Sequence, residues 1–335
     1  MSDPSVLFGP EFVKEITMQK LSFRMLVALS AIAAACLLSV GSTSAATWHG
    51  DYFPNVPLTT QDGKIVHFYD DLLKNKKVVI NFIYTSCGAA CPLETARLAQ
   101  VSRILGDHMG RDIFFYSFSI DPEHDTPPEL KSYAEKFHVG PGWLFLTGKK
   151  EDIELIRAKL GQAARPDENQ LTDHSTRLMI GNEATGQWMP DGSMDNPQYI
   201  AAIIRDWMAG SEVRNKPGRG YAHAPALPEY VADKGGYLFH NQCVACHTLG
   251  GGDGVGPDLR GITRVRDHDW LMRFIAKPDK MLASNDLIAT ALFNKYKHVR
   301  MPSISLTDLD VAALIHYLEK ESALPNDPEK PGGSR

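Results

Sequence analysis

Four of the five cysteines fall into two close pairs, Cys87 with Cys91 and Cys243 with Cys246, and the second pair runs straight into His247. Each spacing prescribes a local geometry before any packing is considered. In CVACH, residues 243–247, two thiols share one helical turn with a histidine directly behind them. That is the C-x-x-C-H pattern of c-type haem attachment. The thiols add to the two vinyl groups on one edge of the macrocycle, and the histidine comes under the iron as proximal ligand. Taken alone, the five residues also admit a redox or zinc-binding CxxC beside an incidental histidine.

The flanks favour haem. Gly236, Tyr237 and Phe239 precede the motif and GVGPDL (254–259) follows it. With these residues in place, segment 228–322 resembles class I cytochrome c. The resemblance implies a methionine as sixth iron ligand, in a loop ahead of the C-terminal helix and usually followed by proline. Met301 before Pro302 matches, immediately ahead of the helix-like 306–321, where Thr307 has N-cap chemistry. Met272 and Met281 are rivals in a helix-like apolar stretch, where core packing accounts for them.

Cys87 and Cys91 close the apolar run VVINFIYTS, and Pro92 suits a first helical turn. Paired cysteines at a strand-to-helix turn are where thioredoxin-like proteins do redox chemistry, since a helix N-terminus stabilises thiolate. Here the spacing is CxxxC, one residue longer. Positions four apart share a helix face, so the sulfurs can share a metal or close a disulfide. Two soft thiolates suit Cu(I), and an imidazole from elsewhere would also accommodate Cu(II).

Three stretches then carry a second resemblance: VVINFIYTSCGAACP (78–92), SIDPEHDTPPELKSY (119–133) and TDHSTRLMIGNEATG (172–186). In that order, across nearly all of 55–208, they look like the Sco/SenC copper-assembly family. The resemblance implies a thioredoxin-like fold and copper held by Cys87, Cys91 and His174. Gly88 stands where the family usually has proline, which loosens the loop without removing a ligand. Asp121, Glu123, His124 and Asp125 either tune this site or make ordinary turns and caps, with His124 a reserve ligand. Asp173 either orients His174 or is a solvated loop residue.

At about 150 residues per domain, 335 residues make about two. Strand-like 78–83 and 112–120 alternate with helix-like 91–105, 127–137, 151–160 and 197–208, as in an α/β layer with partly parallel strands. The Pro-, Gly- and charge-rich 211–227 reads as a linker, helix-like 228–242 follows it, and 323–335 reads as a disordered tail. The expected fold is therefore an α/β thioredoxin-like domain over 47–210 followed by a mostly α cytochrome c domain over 228–322.

Ahead of both, residues 25–40 are apolar, preceded by Lys20 and Arg24 and followed by GSTSAA, the order of a secretory signal peptide. Read from Met18, it would be cut near Ala45 or Ala46; an uncleaved inner-membrane anchor is the alternative, and Cys36 is a small hydrophobe within it. Residues 1–46 are thus a signal or anchor, and the expected compartment is the periplasm, where cysteine pairing, metal binding and haem attachment all proceed.

Forty Asp and Glu against 35 Lys and Arg leave a net charge of −5 and no basic stripe, which speaks against nucleic-acid binding. Three functions fit. The Sco/SenC resemblance implies a metallochaperone that carries copper to the copper-bearing subunit of a cytochrome oxidase. The cysteine pair alone fits a thiol-disulfide oxidoreductase acting on other periplasmic redox proteins. Permanent copper beside haem fits an electron-transfer module. A dithiol reductase has no need of His174, so the ligand set leans towards copper, with the haem domain setting the redox state of copper or thiols or serving only as an electron carrier.

Overall fold

The structure, a computed structural model, describes residues 48, 50–88, 90–163, 176–207 and 233–324. The 1–46 leader, the 211–227 linker and residues 325–335 lie outside these, as do Asp173 and His174.

Strands β1 (Pro57–Thr60), β2 (Ile65–His67), β3 (Lys77–Ile83), β4 (Ile113–Ser119), β5 (Trp143–Thr147), β6 (Arg177–Asn182) and β7 (Gln187–Gly192) form one sheet in the order β2-β1-β5-β4-β3-β6-β7. The central three, β3, β4 and β5, run parallel, and every other pairing is antiparallel. All residues from Val78 to Ile83 are buried, as a parallel strand covered on both faces requires. The two-residue period then divides the core. Val79, Ile83, Phe115, Phe145 and Ile180 pack with helices α1 (Ala90–Leu105), α2 (Pro127–Lys136) and α4 (Pro197–Ala202). Val78, Ile80, Phe82, Tyr116 and Phe118 pack with Ile153 and Ile156 of α3 (Lys150–Lys159).

Local chemistry explains the helix starts. Two prolines open α2, where the missing N–H costs nothing. Asn196 caps α4, its side chain accepting from the amides of Gln198 and Tyr199. The helix expected over 197–208 is α-helical only to Ala202 and widens to a π turn over Ile203–Trp207.

From residue 233 onward the described residues contain no strand. Helix α5 (Lys234–Leu238) is capped by Asp233 and continues as a π turn over Phe239–Cys243, so the described part of the predicted 228–242 helix changes pitch as it reaches the CVACH motif. Next come α6 (Ile262–Val265), α7 (His268–Ala276), α8 (Pro278–Ala283), α9 (Leu287–Lys295) and α10 (Asp308–Ala323). Thr307 and Asp310 form a capping box at α10, each side chain accepting from the other's amide. No helix among the described residues is long and apolar enough to cross a membrane.

Helices α5 and α10 cross with almost no space between them. A Cβ on Gly235 would lie 2.1 Å from the Ala313 carbonyl oxygen and 2.7 Å from the Tyr317 Cβ. Phe239, Leu314, Tyr317 and Leu318 form the core beside this crossing. Gly235→Ala is therefore expected to cost about 1–3 kcal/mol by overpacking. Thermal unfolding of the full chain reads this as a lower midpoint for the second domain, and an unchanged midpoint would show that the crossing relaxes freely.

Candidate functional site

Strand β3 ends at Ile83, and the turn after it is anchored from below. The Asp125 carboxylate accepts from the Thr85 amide at 3.1 and 3.2 Å, from the Thr85 hydroxyl at 2.5 Å and from the Ser119 hydroxyl at 2.6 Å. Burial raises the Asp125 pKa, although these hydrogen bonds pull it down. The turn continues with the Cys87 amide donating to the Tyr84 carbonyl at 3.2 Å, and Cys91 follows as the second residue of α1.

The two cysteines share one buried core cluster. Cys87 is 4% exposed and Cys91 is 0% exposed, and no disulfide joins them. Burial pushes the Cys91 thiol well above its ordinary value; its hydrogen bond with Cys87 and the nearby Cys87 and Glu94 charges push the same way. Tyr84 is raised too, first by burial and then by its hydrogen bond with Cys87. The thiolate stabilisation expected of a helix N-terminus is thus outweighed by desolvation at Cys91. Cys91 therefore resists ionising.

Among the described residues, no group of three His, Cys, Asp or Glu side chains assembles to hold a metal ion. His124, the reserve ligand, has its side chain 77% exposed and bonded to Asp121 at 2.8 Å through Nδ1, which raises its pKa. Glu123 is exposed. Of that acidic loop, Asp125 acts on the turn, and it does so through Thr85. The sequence reading missed Tyr84 and Glu94, although they lie three residues before Cys87 and three after Cys91. Spacing was the available signal.

The second motif makes a separate centre. The amides of Cys246 and His247 both donate to the Cys243 carbonyl, at 3.1 and 3.0 Å, closing one turn. Nδ1 of His247 lies 2.9 Å from the Pro257 carbonyl; donating there leaves Nε2 free for a metal. A Cβ on Gly256 would stand 2.7 Å from the imidazole Cε1, so only glycine lets the ring lie there. A cavity of about 330 Å³ opens beside it, lined by Cys243, Cys246, His247, Met301 and apolar side chains including Leu259 and Phe274. Two thiols, an oriented imidazole and a thioether around one apolar cavity fit a covalent haem. Met272 and Met281 do not line the cavity and pack instead with Trp270 and Val311. Burial lowers the His247 pKa and raises both Cys243 and Cys246 to about 12, while Arg97 pulls the two thiols down.

Comparison with known proteins separates the same two regions. The SCO1/SenC family model matches residues 48–209 and the cytochrome c model matches 232–322. The SCO1 protein homolog of Bacillus subtilis is 32% identical over 160 residues, covering 46% of this chain and 80% of that protein. A SCO2-like protein of Rickettsia conorii is 30% identical over 156 residues, covering 44% of this chain and 73% of that one. Among solved structures, copper-bound ScoI of Bradyrhizobium japonicum is 27% identical with a TM-score of 0.38, covering 46% of this chain and 98% of that one.

Two outcomes follow from the geometry. Asp125→Ala strands the Thr85 and Ser119 donors, each costing about 1–3 kcal/mol when left buried and unsatisfied. Denaturant unfolding is expected to show that loss, and an unchanged midpoint would mean water replaces the carboxylate. In haem-matured protein, Met301→Ala is expected to abolish the methionine-ligated low-spin spectrum while Met272→Leu and Met281→Leu keep it. A spectrum untouched by Met301→Ala would return the sixth position to one of the other two.

Proposed function

This chain belongs to the SCO1/SenC family, and from that premise we propose that it is an exported copper metallochaperone for cytochrome oxidase assembly, whose fused c-type cytochrome domain sets the redox state of the copper or of the thiols. The observation that carries the reading is the buried Cys87–Cys91 pair at the β3–α1 turn. Copper is the cargo. As Cu(I) it is held by two thiolates, with His174 as the proposed third ligand that also accommodates Cu(II). Loading displaces the thiol protons, and the turn pinned by Asp125 keeps Cys87 in register with Cys91.

In the second domain, Cys243 and Cys246 would hold the haem covalently, and His247 and Met301 are the residues that would ligate its iron. Once attached, the haem supplies a one-electron couple that matches Cu(I)/Cu(II). Hydrogen bonding to Pro257 fixes the His247 ring, and the apolar lining of the cavity would disfavour water around a bound haem. The basic, apolar and small-residue order of residues 20–46 supports export to the periplasm.

Thiol-disulfide exchange with a partner protein is less well supported. It needs an accessible, ionised attacking sulfur, whereas both sulfurs are buried and the Cys91 thiol is raised. Metal analysis of the purified full chain tests the proposal. One copper per chain is expected, abolished in Cys87→Ser/Cys91→Ser. His174→Ala is expected to weaken Cu(II) binding more than Cu(I), since two thiolates alone satisfy Cu(I). Equal copper in the wild type and the double variant would remove the chaperone reading.

A further inference from the structure

Helix α1 is buried on all sides over its first half: every residue from Cys91 to Ala99 is buried, including Glu94, Thr95 and Arg97. A helix lying on a sheet normally shows water one face. Here the cover is shared between α4 and the CVACH segment. Ala245, between the two haem-attaching cysteines, is 8% exposed and belongs to the same core cluster as Ala96, Leu98 and Ala99, with Cys246 packed against that cluster. The Gln100 side-chain amide donates to the Val244 carbonyl at 3.2 Å. The loop carrying the first cysteine pair also takes part, since Gly88 lines the cavity that holds His247 and Met301.

Arg97 lies one turn before Gln100 on this face and is 3% exposed. Its Nη1 donates to the Asp195 carbonyl at 3.1 Å, and its Nε has no hydrogen-bond partner among the described residues. Its charge acts on both Cys243 and Cys246. The carboxylate that answers it, Asp195, is exposed and therefore screened by water. The buried Glu94 acts instead on Cys91 and Tyr133.

We propose that Arg97, a residue of the copper-binding domain, sets the reduction potential of the haem carried by the other domain. The inference rests on the haem reading of Cys243, Cys246 and His247 given above. The oxidised haem iron carries one more positive charge than the reduced, so a buried cation whose charge reaches Cys243 and Cys246 would disfavour the oxidised form and raise the potential. Charges act strongly at such a place because little water is present to screen them. The potential thereby depends on the docking of α1 against the CVACH segment, which links the haem couple to the helix that carries Cys91.

The test is a spectroelectrochemical titration of the haem in the full-length, haem-matured protein. Arg97→Gln is expected to favour the oxidised haem about tenfold at the wild-type midpoint, a fall of about 59 mV for a one-electron couple. Arg97→Lys, which keeps the charge, is expected to restore most of the shift; a merely structural role would make the two variants alike. Gln100 is only half-buried, so Gln100→Lys and Gln100→Glu test the same field should the Arg97 variants misfold. They are expected to move the potential up and down respectively. Equal potentials in all folded variants, with haem attached, would overturn the role of Arg97. Failure of the wild type to attach haem would instead overturn the underlying reading of CVACH.

Discussion

The burial of helix α1 is the constraint on which both centres depend. Its first turn brings Cys91 to Cys87, its side chains Ala96, Ala99 and Val101 belong to the core of the sheet, and Gln100 ties it to the CVACH segment. Few positions along it are free to change. A substitution that shifts the helix to suit one centre moves the other, because packed interiors transmit displacement instead of absorbing it.

Desolvation then decides the chemistry of the first pair. A helix N-terminus favours negative charge by a modest amount, but the cost of taking a thiolate out of water is larger, and at Cys91 the second effect prevails. The result is a Cys91 thiol that resists ionising, which disfavours its attack on a disulfide. Glu94 sharpens the effect, since a second buried negative group beside Cys91 makes a lone thiolate less favourable still.

In the second domain the decisive contacts are backbone approaches. Gly235 lets α5 lie against the Ala313 carbonyl, and Gly256 leaves room for the His247 ring, whose Nδ1 is fixed by Pro257. Cys243, at the end of the π turn that extends α5, inherits its position from that crossing. The metal-facing nitrogen, the attachment sulfurs and the apolar cavity are thus set by the packing of two helices.

The sequence by itself determined the features that depend on neighbours along the chain. The helices over 91–105, 127–137 and 151–160, the two buried central strands, the cap at Thr307 and the two cysteine spacings were all legible, because periodicity, capping and ligand spacing are local. Short strands such as β1 and β2, of four and three residues, carry too few positions to show a period. Met301 was preferred over Met272 and Met281 by resemblance and by the helix-like setting of its rivals, and of the three it is the one that lines the cavity. The reach of Asp125 to Thr85 across 40 residues, the raised Cys91 thiol and the position of Arg97 beside the CVACH cysteines were decided by tertiary structure alone. Each is a consequence of burial, and burial depends on which distant segments come to lie against a residue, which no local pattern encodes.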